Sequence, residues 1–186
     1  SSAGATVNPR LAVVFSPKEG SALKLLYGRA FRTPNVFELY YDTFPNKPNP
    51  DLKAETISTY ELAYERHLGK TGIGILSIYH YDLRDLITLG SDPNGILSFA
   101  NSDRVIGSGL EAEVFGTLAS RLQGRVSYSF QKAVEAAGGG SLTNSPRHLA
   151  KASLNMPARK EVLWTGLEMQ YVSPRLSPKG DNVPGH

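Results

Sequence analysis

Four histidines, His67, His80, His148 and His186, are spread through the 186-residue chain, with no His-x-x-x-His pair and no Glu beside one. They read as isolated wall residues, and no metal site is assigned. Ser21-Ala22-Leu23-Lys24 matches Ser-x-x-Lys by letter, the pattern of an acylating serine. It starts in a turn and enters a strand rather than a helix, so that chemistry is not expected here. Gly72-Ile73-Gly74 and Gly138-Gly139-Gly140 lack the strand-then-helix context of a phosphate loop and read as turn and loop glycines. With no Cys in the chain there is no disulfide framework, no Cys-ligated zinc and no thiol nucleophile. No catalytic residue and no cofactor are assigned, although a Ser/His pair on neighbouring strands is not excluded by sequence.

Residues suited to holding a ligand are easier to find. Phe37, Tyr40, Tyr41 and Phe44 are stiff and amphipathic and fall together in one stretch outside the expected strands. Pro34, Pro45, Pro48 and Pro50 restrict the same stretch and so reduce the entropy lost on capture. These four aromatics are the candidate ligand-binding rim. A loop that packs on itself or on a barrel mouth would look the same.

The elements that must position this rim follow from the breaks in the chain. Short breaks fall at Ser16–Ser21, Leu68–Gly72, Leu118–Arg121 and Pro157–Glu161, and longer ones at about 33–54, 91–95, 136–146 and from Ser173 onward. Eight strands are expected between them, at about 10–16, 22–32, 56–68, 73–90, 96–117, 122–135, 147–156 and 162–172. Period-two alternation separates their faces. In the sixth, Leu122, Gly124, Val126, Tyr128 and Phe130 oppose Gln123, Arg125, Ser127, Ser129 and Gln131. Leu76 and Ile78 are exceptions on the polar face of the fourth, and Trp164 on that of the eighth. At 54–68 a helical stripe of Ile57, Tyr60, Tyr64 and Leu68 competes with the strand.

Alternation does not say which face meets water. The composition, with 20 basic and 17 acidic residues and 40% hydrophobic residues, excludes wholesale disorder, and the scattered basic residues give no nucleic-acid stripe. No apolar run approaches the roughly 18 residues of a membrane helix, and Ser1-Ser2-Ala3-Gly4-Ala5 has no signal-peptide pattern. A β-barrel membrane protein remains compatible, because its strands need only ~9–11 residues each. Three features favour it: strands of 10 or more residues, a densely charged polar face, and aromatics recurring seven to ten positions from the short turns. Tyr27, Phe31, Tyr60, Tyr79, Tyr81, Tyr128, Phe130 and Tyr171 are expected to form an interfacial girdle, with ordinary core packing as the alternative. Arg29 would then face lipid near the rim. The short turns would be periplasmic and the long breaks extracellular. Glu61, Glu65, Glu111, Glu113, Arg125 and Lys151 would face a lumen, where they pair with one another or meet a plug or substrate.

The stretch Leu25-Leu26-Tyr27-Gly28-Arg29-Ala30-Phe31-Arg32-Thr33-Pro34-Asn35, then Glu38-Leu39-Tyr40, Asn49-Pro50-Asp51-Leu52-Lys53-Ala54-Glu55 and Tyr60-Glu61-Leu62 resembles the barrel of TonB-dependent outer-membrane receptors. Tyr79-x-Tyr81-Asp82-Leu83-x-Asp85-Leu86-Ile87, Phe99-Ala100-Asn101, Gly109-Leu110-Glu111-Ala112-Glu113 and Asn144-Ser145-Pro146-Arg147-His148 continue the likeness in order. Thr33 and Ala54 stand where the family usually has Ala and Pro. The family-motif residues Gly28, Phe31, Arg32, Pro34, Asn49, Pro50, Leu52, Lys53 and Glu55 are expected to be structural, those from Asn49 to Glu55 ordering the loop's return into a strand.

The resemblance implies an all-β, antiparallel, up-and-down transmembrane barrel, of which residues 1–186 supply about eight strands. The plug domain, the TonB box and the C-terminal strands are expected to be missing from this stretch. It implies residence in the outer membrane of a Gram-negative bacterium, in contact with its lipid, and no enzyme activity. The implied role is capture and import of a scarce small-molecule ligand, such as an iron-siderophore complex or a cobalamin, energised by the TonB complex acting on a plug domain of the same protein. Two other classes stay open: a small outer-membrane barrel with adhesin or hydrolase activity, and a soluble all-β binding module.

Overall fold

A computed structural model describes residues 7–101, 104–119, 121–136, 140, 142–159, 162–177 and 180–186. The opening Ser-Ser-Ala-Gly-Ala, turn residues Ser120, Lys160 and Glu161, and loop glycines Gly138 and Gly139 lie outside the described residues. In chain order the elements are β1 (Arg10–Phe15), β2 (Ser21–Arg32), α1 (Val36–Tyr40), β3 (Asn46–Lys47), β4 (Glu55–Leu68), β5 (Gly72–Arg84), β6 (Ile87–Ser91), β7 (Leu97–Asn101), β8 (Val105–Ala119), β9 (Leu122–Glu135), β10 (His148–Arg159), β11 (Leu163–Val172), β12 (Arg175–Leu176) and β13 (Asn182–Val183).

Eight of these strands make one antiparallel sheet in the order β1-β2-β4-β5-β8-β9-β10-β11, so each long strand pairs with its predecessor through a short turn or an extended loop. Gly69, at φ +66, supplies the left-handed residue of the β4–β5 turn at no steric cost. The strand reading of 54–68 holds over the helical stripe. β4 is hydrogen-bonded along its length to β2 on one side and β5 on the other, and period two, not 3.6, sorts its side chains.

The register defines the two faces. Leu25, Leu62, Ile78, Leu110 and Phe130 lie opposite one another across five strands, and Leu23, Tyr64, Leu76, Ala112 and Tyr128 form the next outward row. The other face carries Lys24, Ala63, Ser77, Glu111 and Ser129 in one row. Small residues tell which face is concave. Ala63 and Ser77, too short to be covered unless neighbours converge over them, are each only 6% exposed, whereas Ile78 beside them is 50% exposed on the opposite face. The convex face is therefore apolar and bare and the concave face polar and sheltered, the arrangement of a barrel wall between lipid and a wet lumen. β2, β4, β5, β8 and β9 are 12–15 residues long, enough to cross a bilayer.

That register corrects the expected faces of the fourth strand. Leu76 and Ile78 belong to the apolar outer rows, while Tyr79 and Tyr81 point inward, opposite Gly109 and Gly107. The two rings stack at 6.4 Å, and a Cβ at Gly107 would fall within the Tyr81 ring. The paired glycines give these phenols room against the lumen wall, so Tyr79 and Tyr81 are not girdle members. The outward aromatics do form a belt. Tyr27 meets Tyr60 at 5.0 Å, and the His148 ring lies 5.2 Å from Phe130 and bonds the Tyr128 hydroxyl at 2.7 Å. Arg29 shares their outward face, as expected.

Two other expectations change. The stretches 73–90 and 96–117 are not continuous strands. Asp85 takes φ 56, and the chain leaves the main sheet for a β6–β7 hairpin that joins β3 in a three-stranded sheet of its own. The first long break is not structureless, since it holds α1 and β3, and the tail after Ser173 holds the β12–β13 pair.

Candidate functional site

Beyond the aromatic belt the inward face ends in a polar knot centred on Arg32. Arg32 and Glu55 are cross-strand partners at the last rung of β2 and β4. Arg32 Nε and Nη2 donate to the two Glu55 oxygens at 2.6 and 2.7 Å, a fork-to-fork pair, and Nη1 donates to both Glu38 oxygens at 2.9 and 3.0 Å. Glu38 also accepts from the Asn35 backbone N–H at 2.8 Å, while Asn35 Oδ1 accepts from the Glu38 N–H at 2.9 Å, a complete capping box for α1. Glu55 Oε1 takes the Ile87 N–H at 2.7 Å, which ties the start of β6 to the same point. Glu55 stands five residues above Tyr60 and so outside the apolar band. The Arg32 hydrogen bonds hold its carboxyl below the usual carboxylate range, outweighing the opposing effect of burial.

A second knot closes the far side of the loop. Asn101 Oδ1 accepts from the Lys53 N–H at 2.8 Å, and its amide donates to the carbonyls of Lys53 at 3.0 Å and Asp85 at 2.7 Å. Asn49 donates to the Phe99 carbonyl at 2.9 Å and accepts from the Asp51 N–H at 3.2 Å. Pro50 and Leu52 lie between these anchored points, and Pro34 directly precedes the Asn35 cap. Phe31 faces outward beside Thr56, and Gly28 pairs with Thr59 one rung from Tyr27.

Between the two knots sits the aromatic surface. Phe37 stacks on Tyr41 with centroids 4.3 Å apart and meets the edge of Phe99 at 5.9 Å. Tyr40 and Phe44 project instead, 61% and 85% exposed. The four aromatics named from sequence therefore lie on one loop and are all exposed, but Phe37 and Tyr41 stack on each other while Tyr40 and Phe44 stand apart. Phe99 joins them from the β6–β7 hairpin, which no spacing in the sequence connects to α1.

The other chemistry read from sequence is dispersed. Ser21 donates to the Lys18 carbonyl at 3.0 Å, while Lys24, three residues on and so on the other face, pairs with Glu65 at 2.6 Å. That separation removes the acylating dyad. His80 bonds Ser108 at 2.9 Å on the outward face, and among the described residues no group of three His, Asp or Glu could hold a metal. Of the expected lumen charges, Glu65 pairs with Lys24, and Arg125 lies 3.1 Å from Glu113, too poorly aligned for a hydrogen bond, and 5.1 Å over the Phe115 ring. A groove of about 610 Å³ lies on the convex face near the short turns, lined by Leu68, Val114, Leu118, Leu154 and Leu167. It belongs to the lipid-facing surface, at the opposite end of the sheet from the loops.

A model of the TonB dependent receptor-like, beta-barrel family matches residues 1–185. The chain belongs to this family. Over 71 residues this TonB-dependent receptor barrel is 38% identical to the Hemoglobin-haptoglobin-binding protein A of Haemophilus influenzae, an overlap covering 36% of this chain and 7% of that protein. Among solved structures, the siderophore receptor PirA from Acinetobacter baumannii matches with a TM-score of 0.78 at 14% identity, over 96% of this chain and 33% of that one. A mutant of the ferric enterobactin receptor PfeA from Pseudomonas aeruginosa, in complex with enterobactin, matches at 0.78 and 19% identity, over 96% and 31%. The copper transporter OprC matches at 0.74 and 16%, over 95% and 29%. The chain thus spans a third or less of these proteins, and at such identities the structures establish the fold. As a TonB-dependent receptor barrel it is a protein of the Gram-negative outer membrane.

Glu38 and Asn101, which complete the two knots of this receptor barrel, lie in the stretches that carry the family likeness, but the sequence assigned them no role. A signal for Glu38 was present, since Asn35-x-x-Glu38 before an apolar pair is a capping-box pattern. Asn101 reaches Lys53 across 48 residues, and nothing local encodes that.

Proposed function

We propose that this segment is the ligand-facing part of a receptor that captures an iron-bearing ligand at the cell surface and imports it, and that it carries no catalysis. The observation that carries this reading is the aromatic surface on the first long loop: Tyr40 and Phe44 stand bare in a loop whose two ends are held by Arg32–Glu38–Glu55 and by Asn49–Asn101. Exposed aromatics on a pre-ordered loop lose little entropy on capture and offer stacking faces to a flat or chelated ligand. Phe37 and Tyr41 support them and extend the contact. Receptors similar in fold are named for siderophores, ferric enterobactin and copper, and the sequence relative for haemoglobin–haptoglobin, which favours an iron-bearing cargo over the cobalt of a cobalamin. In this reading the 186 residues are about eight strands of a larger barrel. The concave face, with Glu61, Glu111 and Lys151, lines the lumen against a plug domain of the same protein, through which the TonB complex supplies energy.

The test is equilibrium binding by the intact receptor that contains this segment, offered ferric catecholate, ferric hydroxamate, haemoglobin and cobalamin in turn. One iron-bearing ligand is expected to bind tightly, and the Tyr40→Ala/Phe44→Ala pair to weaken it by about tenfold or more, as loss of exposed aromatic anchors does. Binding of cobalamin alone, or binding unchanged in the double variant, contradicts the reading.

A further inference from the structure

One tier above the aromatic belt, the outward face of the sheet turns cationic. Arg29 lies between the outward Tyr27 and Phe31 on β2, at the upper edge of the belt, and Lys132 lies two residues beyond Phe130 on β9. Asp82 and Arg84 lie two and four beyond His80 on β5, and Arg104 stands just before β8. At ~3.3 Å per residue and ~45° tilt, two residues climb about 5 Å, which puts these groups at headgroup level rather than among acyl chains. The strands tilt, so a line of constant height crosses the transverse rows obliquely. Tyr27 on β2 and Phe130 on β9 can therefore share a height although they lie in neighbouring rows.

The arginines are not loose. Arg104 donates from Nε and Nη2 to the two Asp82 oxygens at 2.7 and 3.0 Å, and Arg84 donates from Nε and Nη2 to Asp82 Oδ2 at 3.1 and 2.8 Å. One carboxylate thus tethers two guanidiniums side by side, and the Nη1 of each makes no hydrogen bond to a described residue. Arg29 and Lys132 are ion-paired to none of the described residues. Even with Asp85 within electrostatic reach of Arg84, four cations among the described residues outnumber two carboxylates, an excess that a neutral headgroup layer does not call for. Tethered guanidinium forks suit a phosphate, which can take several N–H donors at once.

We propose that Arg84 and Arg104, held by Asp82 and flanked by Arg29 and Lys132, bind a phosphate of the anionic glycolipid in the outer leaflet. Lysine and arginine clusters at a membrane surface recognise phosphorylated headgroups in this way. The long breaks lie on this side of the sheet, so the leaflet concerned is the outer one. The site is separate from the ligand-capturing loop, because it faces lipid and the Arg32 knot faces the lumen.

The experiment is native mass spectrometry of the intact receptor, delipidated in detergent and titrated with bis-phosphorylated lipid A, with the same lipid dephosphorylated, and with phosphatidylglycerol. Retention of bis-phosphorylated lipid A is expected, with at least about tenfold weaker retention of the other two. The Arg84→Gln/Arg104→Gln variant is expected to lose about tenfold in that retention. Arg29→Gln/Lys132→Gln breaks no side-chain hydrogen bond among the described residues, so it serves even if the first variant fails to assemble, and a loss of several-fold is expected. Equal retention of the dephosphorylated lipid or of phosphatidylglycerol, or wild-type retention by the Arg29/Lys132 variant, overturns the proposal.

Discussion

Arg32 and Glu55 face each other across the last rung of the β2–β4 ladder and close a two-point fork at 2.6 and 2.7 Å, on which α1 and the start of β6 both hang. The Arg32 side chain is 44% exposed, so the ion pair itself is screened and contributes modestly. The more costly loss is the partner of the Ile87 N–H. Glu55→Ala leaves that buried donor unpaired, at ~1–3 kcal/mol, whereas Glu55→Gln keeps an oxygen for it. Amide exchange at Ile87 itself is expected to quicken by about tenfold in Glu55→Ala and much less in Glu55→Gln. Equal effects would show that the fork, and not the Ile87 bond, dominates.

The same knot should respond to acid. Glu55 titrates below its ordinary value of 4.5, mainly because Arg32 donates to it. A carboxylate with a lowered folded value adds stability that is full above the unfolded value and is lost as pH falls through the folded one. The α1 amides, corrected for intrinsic exchange, should keep constant protection from pH 7 to about 4.5 and lose it below. Loosening as pH rises would contradict the assignment.

Gly107 is a glycine because Tyr81 lies over it. Gly107→Ala alone should destabilise the barrel, and Tyr81→Ala should remove most of that penalty, since the three atoms nearest the added methyl all belong to the Tyr81 side chain. Urea unfolding of the two single variants and the double variant measures the coupling. Additive effects would place the Tyr81 ring elsewhere.

Leu76 and Tyr79 test which face meets lipid. Leu76→Arg on the outer face is expected to cost ~2–4 kcal/mol in folding into lipid vesicles, and Tyr79→Arg, toward a wet lumen, markedly less. The reverse order would invert the barrel wall.

Much of the wall was legible in sequence, because a period of two survives wherever one face meets lipid and the other water. The sixth strand sorts Val126, Tyr128 and Phe130 from Arg125, Ser127 and Ser129 as expected. It misled in the fourth strand, where the inward face carries Tyr79 and Tyr81. Hydrophobicity alone cannot tell a tyrosine laid over a lumen glycine from one at the lipid interface, and the pairing with Gly107 and Gly109 settles it. The break at Asp85 was likewise hidden, since a left-handed residue held by Asn101 from 16 positions away leaves no local pattern. Of the loop, the aromatics were visible and their division was not. Phe37 stacks on Tyr41 and also meets Phe99, which comes from a different hairpin.

The central claim is import by a TonB-dependent receptor, and the most direct measurement is uptake of a radiolabelled iron chelate by cells whose only such receptor is the intact protein containing this segment. With TonB present, the account predicts saturable uptake that Tyr40→Ala/Phe44→Ala reduces. With TonB deleted, it predicts surface binding that persists while uptake stops. Uptake that continues without TonB, or no binding of any iron-bearing ligand in either strain, would contradict it.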